Sequence, residues 1–151
     1  MILGIMGDSH DSLPHIRRAI DVFDSENVDY VLHTGDIISP FAMKELGGLG
    51  QKLVLTFGNN DGERLALRDV MSSVGARLIW PKVLFDIEGK RIGLLHGEDE
   101  DLVKAIAKSA ETRLVAYGHS HTASITMKGP TPIVNPGETC GYVCGLSLIH
   151  I

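Results

Sequence analysis

Short apolar runs and segments of helical periodicity alternate through the first half of the chain. Predicted strands cover 2–6, 30–32 and 53–55, and predicted helices follow them at about 13–23, 40–46 and 62–74. Apolar residues recur at helical spacing in the first and third of these helices, with Leu65, Leu67, Val70, Met71 and Val74 forming a face of the third. A strand, helix, strand order of this kind requires parallel strands joined by crossovers.

The second half has a different pattern. Runs at 83–87 and 91–95 flank a glycine-containing turn, which indicates a β-hairpin. A helix is predicted over 99–110, burying Leu102, Val103, Ile106 and Ala110, and strands are predicted at 114–117, 123–127 and 133–134. We therefore expect an α/β fold in one domain over 1–151, with a two-sheet β-sandwich flanked by helices in four αββα layers.

Potential metal ligands lie at or just after the ends of predicted strands, where open α/β sheets gather their chemistry. They are Asp8, His10, Asp36, Asn59, His96, His119 and His121. Imidazole, carboxylate and amide groups without thiolate suit Mn, Fe, Zn or Ni better than a structural zinc cage. Taken singly, the aspartates could be helix caps, Asn59 a turn residue and the histidines packed core residues.

The remaining histidines are not assigned to the metal set. His33 lies inside a predicted strand, where packing or support of a ligand is favoured over direct ligation. His15 and His150 are expected to be surface or tail residues.

The ordered motifs D-x-H, G-D, G-N-x-D, H-G and G-H-x-H resemble those of the calcineurin-like metallophosphoesterase superfamily, in particular its small YfcE-type phosphodiesterases. The resemblance runs from Asp8 to His121 and continues into Asn135-Pro136-Gly137. It implies a layered sandwich and a two-metal hydrolase in which a hydroxide bridging the ions attacks phosphorus. The implied ligands are Asp8, His10, Asp36 and His121 for one ion, and Asp36, Asn59, His96 and His119 for the other, with Asp36 as the bridge. We expect two divalent ions, Mn first, with Ni, Zn or Fe as alternatives.

The main departure from the family pattern is at Asn60, where many members carry a histidine that protonates the leaving group. An amide cannot supply that proton, and Asp61 is left without the imidazole it would orient. We predict Asn60 and Asp61 as the residues on the leaving-group side of the site. The arginine that follows the second motif in protein phosphatases is also absent, because Asp36 is followed by Ile37. These losses favour a small phosphodiester as substrate; the alternatives are a phosphomonoesterase, or a non-catalytic protein-binding scaffold like the retromer subunit of this fold.

Charge and hydropathy limit the partners. The net charge of −5 argues against an extended nucleic-acid surface, which requires clustered Lys and Arg. No apolar run is long enough to cross a bilayer and the first residues do not resemble a signal peptide, so we expect no membrane association and a cytoplasmic location.

The end of the chain departs from the family. Residues from about Gly145 to Ile151 do not resemble its last strands, so we expect a truncation or a non-native tail. A missing strand would leave a sheet edge open to homo-oligomer formation. Cys140 and Cys144 are expected to be buried, unreactive thiols.

Overall fold

The computed structural model describes residues 1–109 and 111–151, and these form two five-stranded sheets with helices outside them. In chain order the elements are β1 (Leu3–Met6), α1 (Leu13–Ser25), β2 (Tyr30–His33), α2 (Pro40–Leu46), a 3₁₀ helix (Gly47–Lys52), β3 (Leu53–Leu55), α3 (Arg64–Val74), β4 (Arg77–Leu78), β5 (Leu84–Ile87), β6 (Lys90–Leu94), α4 (Glu100–Ala107), β7 (Thr112–Ala116), β8 (Ser124–Lys128), β9 (Thr131–Asn135) and β10 (Ile149–His150).

The first sheet has the strand order β10-β1-β2-β3-β4. Strands β1 to β4 are parallel, as the alternation of strands and helices predicts, and β10 joins β1 antiparallel. The second sheet has the order β5-β6-β7-β9-β8, in which β6, β7 and β9 are parallel and both outer strands are antiparallel to their neighbours. The loops that follow the parallel strands therefore all lie at the same end of each sheet, where the carboxyl ends of these strands are.

The fold has four layers, two of helices and two of sheet, and a buried apolar cluster lies between each pair of neighbouring layers. Helices α1, α2 and α3 pack on one face of the first sheet, and α4 packs on the outer face of the second. Between the sheets, side chains such as Ile5 and Leu32 meet Phe85 and Leu94. Alternation along a strand explains the division, because Ile5 faces the second sheet while its neighbour Met6 faces the helices. The predicted αββα sandwich is confirmed.

Several sequence predictions of local structure need correction. Helix α3 begins at Arg64 rather than at 62, and β4 was not predicted. Leu65 is 71% exposed and Leu102 is 43% exposed, so neither is part of the buried helical faces to which periodicity assigned them. Ala110, the last residue of the predicted fourth helix, lies outside the described residues.

The two cysteines differ from each other. Cys140 is buried, as expected, and burial raises the pKa of its thiol to about 11, which keeps it protonated and unreactive. Cys144 is exposed, so its predicted burial is wrong. The reason is local: the segment around it forms bends and turns instead of a strand that could place it in the core.

The C-terminal residues pair with the first sheet. Gly4 faces His150 and Ile5 faces Ile149, and Leu3 and Ile151 exchange backbone hydrogen bonds of 2.7 and 2.9 Å. The edge beside β1 is therefore covered along these residues. Within the part of the chain described, no helix has both the length and the apolar character required to cross a bilayer.

Removal of residues 148–151 should lower the melting temperature by about 5 to 15 °C. The deletion removes the pairing with β1 and the packing of Leu148 and Ile149, together about 2 to 4 kcal/mol. Val143→Ala, a change at an exposed side chain of the same segment, should leave the melting temperature nearly unchanged. Thermal unfolding followed by circular dichroism measures both, and an unchanged transition in the deletion would show that β10 contributes nothing to stability.

Candidate metal centre

Five loops meet where parallel strands of the two sheets end. The loops after β1, β2 and β3 carry Asp8 and His10, Asp36, and Asn59, while those after β6 and β7 carry His96, His119 and His121. All seven predicted ligands are brought into two adjoining groups. The common edge follows from parallel pairing, because parallel strands place their carboxyl ends side by side.

The first group consists of Asp8, His10 and His121. One nitrogen of His121, Nε2, lies 3.5 Å from Oδ1 of Asp8, and Nε2 of His10 lies 3.9 Å from the same oxygen. Nε2 of His10 also lies 3.5 Å from Oδ2 of Asp36, which connects this group to the second.

The second group consists of Asp36, Asn59, His96 and His119. Nε2 of His96 lies 3.4 Å from Oδ2 of Asp36 and 3.0 Å from Oδ1 of Asn59. The amide oxygen of Asn59 is also 3.0 Å from Nδ1 of His119. Asp36 therefore contacts members of both groups.

Unpaired polar atoms test whether these residues fit a cation. Oδ1 of Asp8 and Nε2 of His10 are buried and have no hydrogen-bond partner among the described residues. Such atoms are rare in folded proteins unless water or an ion satisfies them. Ligand atoms of Asp8, His10 and His121 all lie within 4.8 Å of one another, as do those of Asp8, Asp36 and His96. The donor set therefore fits two divalent cations.

Backbone strain is concentrated at the same residues. Asp8, His10, Asp36, His119 and His121 all have positive φ angles, of 48°, 40°, 59°, 67° and 59°. Residues other than glycine rarely adopt positive φ angles, and each such residue lowers the stability of the fold by about 1 to 3 kcal/mol. The strain turns each loop sharply at a strand end and aims its side chain at the shared centre.

Glycine at position 118 is required by close packing around Asp8. A Cβ added there would lie 2.5 Å from Oδ2 of Asp8 and 2.5 Å from Oγ1 of Thr34. The backbone of the G-H-x-H motif therefore approaches the carboxylate directly, and the next amide, that of His119, donates a 3.1 Å hydrogen bond to it.

Neighbouring groups fix the orientation of the histidines. The Nδ1–H of His96 donates to the carbonyl of Thr34 at 2.9 Å, which leaves Nε2 facing Asp36. His33 is buried and supports the site without joining it: its ring bonds Oγ of Ser9 at 3.0 Å and accepts the N–H of Gly35 at 3.1 Å. Burial lowers the pKa of His33 to about 3, so its ring is neutral. Its predicted packing role is confirmed.

Asp61 makes contacts that the sequence did not predict. Its carboxylate accepts four backbone N–H groups, those of Asp36, Ile37, Ile38 and Gly58, at 2.7 to 3.0 Å. It therefore ties the loop after β2 to the loop after β3. The sequence could not reveal these bonds because their donors are backbone groups.

Asn60 binds the carboxylate of Asp36. Its backbone N–H donates to Oδ1 at 2.9 Å and its side-chain amide donates to Oδ2 at 2.7 Å. Burial acts to raise the pKa of Asp36, but hydrogen bonds from His96 and Asn60 outweigh it, so the pKa is lowered. The opposite holds at Asp8, where burial raises the pKa despite the nearby charges of His96 and His121.

Glu138 is a functional residue that sequence reasoning missed. Its buried carboxylate accepts the Nδ1–H of His121 at 2.7 Å, which leaves Nε2 of His121 facing Asp8. It also accepts the N–H groups of Val143 and Cys144, each at 2.5 Å, and the thiol of Cys140 at 3.3 Å. Burial acts to raise the pKa of Glu138, but these bonds outweigh it and lower the pKa to about 2. The available signal was its place directly after Asn135-Pro136-Gly137.

Comparison with known proteins places this centre in a family context. A family model described as the calcineurin-like phosphoesterase superfamily domain matches residues 1–148. The phosphodiesterase MJ0936 of Methanocaldococcus jannaschii is 37% identical over an alignment of 152 positions, which covers 100% of this chain and 92% of that protein.

Solved structures agree with this relationship. The structure of an archaeal phosphodiesterase superposes with a TM-score of 0.87 at 36% identity, covering 95% of this chain and 88% of that one. YfcE, a phosphoesterase from E. coli, shares the fold with a TM-score of 0.70 at 21% identity, covering 92% and 80%. The chain is thus a homologue of a phosphodiesterase along its whole length.

Glu138→Gln should weaken cation binding at the Asp8, His10 and His121 group by about 10- to 100-fold, because an amide cannot accept all the bonds that hold His121 in place. Calorimetric titration with Mn²⁺ measures the two affinities, and circular dichroism checks the fold. Glu63→Gln, a change at an exposed residue, is the matched control. Wild-type affinities in the Glu138 variant would show that this carboxylate does not position His121.

Cation binding should depend on pH through His96. Burial alone would lower the pKa of His96, but the hydrogen bond and charge of Asp36 outweigh it and raise the pKa to about 8. At neutral pH the metal-free protein therefore holds a proton on His96 that a cation must displace. Affinity for Mn²⁺ should rise as pH increases from about 6 and level off above about 8.

Calorimetry in two buffers of different ionisation enthalpy measures the proton released. His150→Gln, a change in the exposed tail, should leave the pH profile unaltered. An affinity that is constant between about pH 6 and 8 would contradict the assignment of His96 as a ligand.

Proposed function

The chain belongs to the calcineurin-like phosphoesterase superfamily, and we propose that it is a two-metal phosphodiesterase that hydrolyses a small phosphodiester. One observation carries the proposal: potential ligand atoms cluster in Asp8, His10 and His121 and in Asp8, Asp36 and His96, and two of these atoms, Oδ1 of Asp8 and Nε2 of His10, are buried without a hydrogen-bond partner among the described residues. The activity named for the relative that is 37% identical supports the choice of a diester.

The proposed ligand sets share one carboxylate. Asp8, His10, Asp36 and His121 would hold one ion, and Asp36, Asn59, His96 and His119 would hold the other. We propose Mn²⁺ as the preferred metal, since nitrogen and oxygen donors without thiolate suit it. When bound, the two ions would supply an acidified water, shared between them as hydroxide, and positive charge near the phosphoryl oxygens.

The side chains around this centre hold the ligands in place. Asp61 fixes the backbone on either side of Asp36, and Asn60 binds both oxygens of Asp36 through its backbone and side-chain N–H groups. These contacts orient the shared carboxylate before any ligand arrives. Preorganisation of this kind lowers the cost of assembling a charged site.

The residue at position 60 favours substrates with good leaving groups. An amide there donates a hydrogen bond to Asp36 but has no proton to transfer to an alkoxide. General acid catalysis contributes about 10² to 10⁴ in rate, so esters of basic alcohols lose that contribution. A diester with a weakly basic leaving group depends on it least, which makes the monoesterase alternative weaker.

The scaffold alternative remains distinguishable by metal content and turnover. A protein-binding module has no need of a complete ligand set, and this chain retains all seven residues in contact distance of one another or of a shared partner. Their retention favours catalysis.

Mn²⁺-reconstituted protein should hydrolyse an activated aryl diester at least about tenfold faster than an alkyl phosphomonoester, because the latter lacks a proton donor for its leaving group. A panel of diesters and monoesters assayed after metal loading measures this ratio. Preference for monoesters would overturn the diesterase proposal, and absence of all hydrolysis in protein with two bound ions would favour the scaffold.

Two variants provide matched controls for the assay. Asp36→Ala should lose both ions and all hydrolysis, whereas Asn59→Ala should weaken mainly one ion, since only the carboxylate contacts both groups. Elemental analysis after dialysis measures metal content. Equal, mild losses in the two variants would contradict the shared role of Asp36.

A further inference from the structure

An open cleft adjoins the candidate metal centre. Its volume is about 210 Å³, and it is lined by residues that follow the carboxyl ends of β3, β4 and β6, among them Phe57, Trp80, His96 and Leu102. These are the same strand ends that present the metal ligands. His96 belongs to both places, because its Nε2 lies 3.4 Å from Asp36 while the residue also forms part of the cleft wall. A group bound in the cleft would therefore lie next to the second ligand group.

Exposed apolar side chains mark the cleft as a place for a ligand. Trp80 is 44% exposed and Leu102 is 43% exposed, although both are large and apolar. Both line this one concave surface. Small-molecule sites are concave and mostly apolar with a few polar groups, so the exposure of these two residues has a simple explanation if a ring covers them.

Arg64 contacts the aromatic wall of the cleft, which is formed by Phe57 and Trp80. Its guanidinium carbon lies 5.1 Å from the centroid of the Trp80 ring and 5.4 Å from that of Phe57. The same guanidinium donates to the carbonyls of Gly58 and Asp61, each at 3.0 Å. Because Asn59 lies between those two carbonyls in the chain, Arg64 joins the aromatic wall to the loop that supplies a metal ligand. Cation–π contacts of this type add to the rigidity of the wall.

The size and charge of the cleft narrow the choice of ligand. A volume of about 210 Å³ is smaller than the roughly 300 to 1,000 Å³ of pockets for drug-sized molecules, so one ring system fits better than a larger group. The lining includes Arg64 and Lys82 as well as Glu98 and Asp99, so two basic and two acidic side chains are present and neither an anion nor a cation is selected. A neutral, planar ring matches this surface.

We propose that this cleft binds a planar aromatic group of the substrate, such as the base of a nucleotide ester, while the phosphate lies at the metal centre. The proposal rests on the proposed function and names the substrate class of the same site. Trp80 and Leu102 supply the apolar contact, and Arg64 keeps Trp80 in place. Trp80 and Leu102 are specificity-determining residues here, since neither belongs to the metal ligand set.

The sequence contains a single tryptophan, so all tryptophan fluorescence comes from Trp80, which lines the cleft and the grooves next to it. Mn²⁺-loaded protein is titrated with adenosine 5′-monophosphate and, separately, with ribose 5-phosphate, with excitation at wavelengths that adenine does not absorb. The two ligands carry the same phosphate and differ in the base. We expect saturable quenching by the nucleotide and a dissociation constant at least about tenfold lower than for the sugar phosphate.

Variants identify the surface responsible. By calorimetry, Trp80→Ala should weaken nucleotide binding about tenfold or more, and Leu102→Ala about fivefold, with ribose 5-phosphate binding unchanged. Ile125→Ala, at an exposed isoleucine of β8 that lines neither the cleft nor the grooves beside Trp80, should leave both affinities unaltered. Leu102→Ala tests the proposal if Trp80→Ala does not fold.

Equal binding of the two ligands, absence of saturable quenching by the nucleotide, or equal effects of Leu102→Ala and Ile125→Ala would overturn the cleft proposal. These results leave the proposed function to its own test, because diester hydrolysis by the metal-loaded protein is measured independently. Conversely, base-dependent binding without hydrolysis of any diester would overturn only the proposed function.

Discussion

The burial of two carboxylates at the meeting point of the sheets is the constraint on which the rest of the structure depends. Asp8 and Asp36 are almost completely removed from solvent. A buried carboxylate is costly unless it is paired or hydrogen-bonded. Two kinds of contact offset this cost. Imidazoles lie close to both carboxylates, and backbone N–H groups donate hydrogen bonds to their oxygens. The strained turns at the strand ends are the means by which short loops bring these donors close enough.

Much of the fold could be predicted because burial imposes periodicity on the sequence. The strand at 53–55 and the helix at 40–46 have the bounds that the sequence predicts, since an apolar run defines the strand and proline and glycine define the ends of the helix. Predictions of burial are wrong where an apolar residue lies on the surface instead of in the core. Leu102 has the spacing of a core residue in α4, yet it lies on the cleft beside the metal centre. Strand β4 was missed because two residues carry no detectable alternation.

At the candidate site, too, the spacing of residues in the sequence predicts some features and not others. Metal-ligand types after successive strands could be identified, because parallel pairing brings such positions together. The hydrogen-bond partners of the supporting carboxylates could not be predicted, since Asp61 binds backbone N–H groups and Glu138 binds a histidine seventeen positions away along the chain. Hydrogen bonds to backbone groups carry no sequence signature. Asp61 and Glu138 are nevertheless what fixes the loops in their strained conformations.

These two carboxylates support different halves of the centre. Glu138 orients His121 and holds the C-terminal turn at Val143, whereas Asp61 holds the backbone at Asp36 and Gly58. The supports share no hydrogen-bond partner among these contacts, so changes at one should add to changes at the other, except where both act through the ligands that connect the two groups. Arg64 extends the second support to the aromatic cleft. Under the proposed function, the affinity of one ion and the choice of substrate would therefore vary together, through the loop that carries Asn59, while the affinity of the other ion would depend on the C-terminal turn.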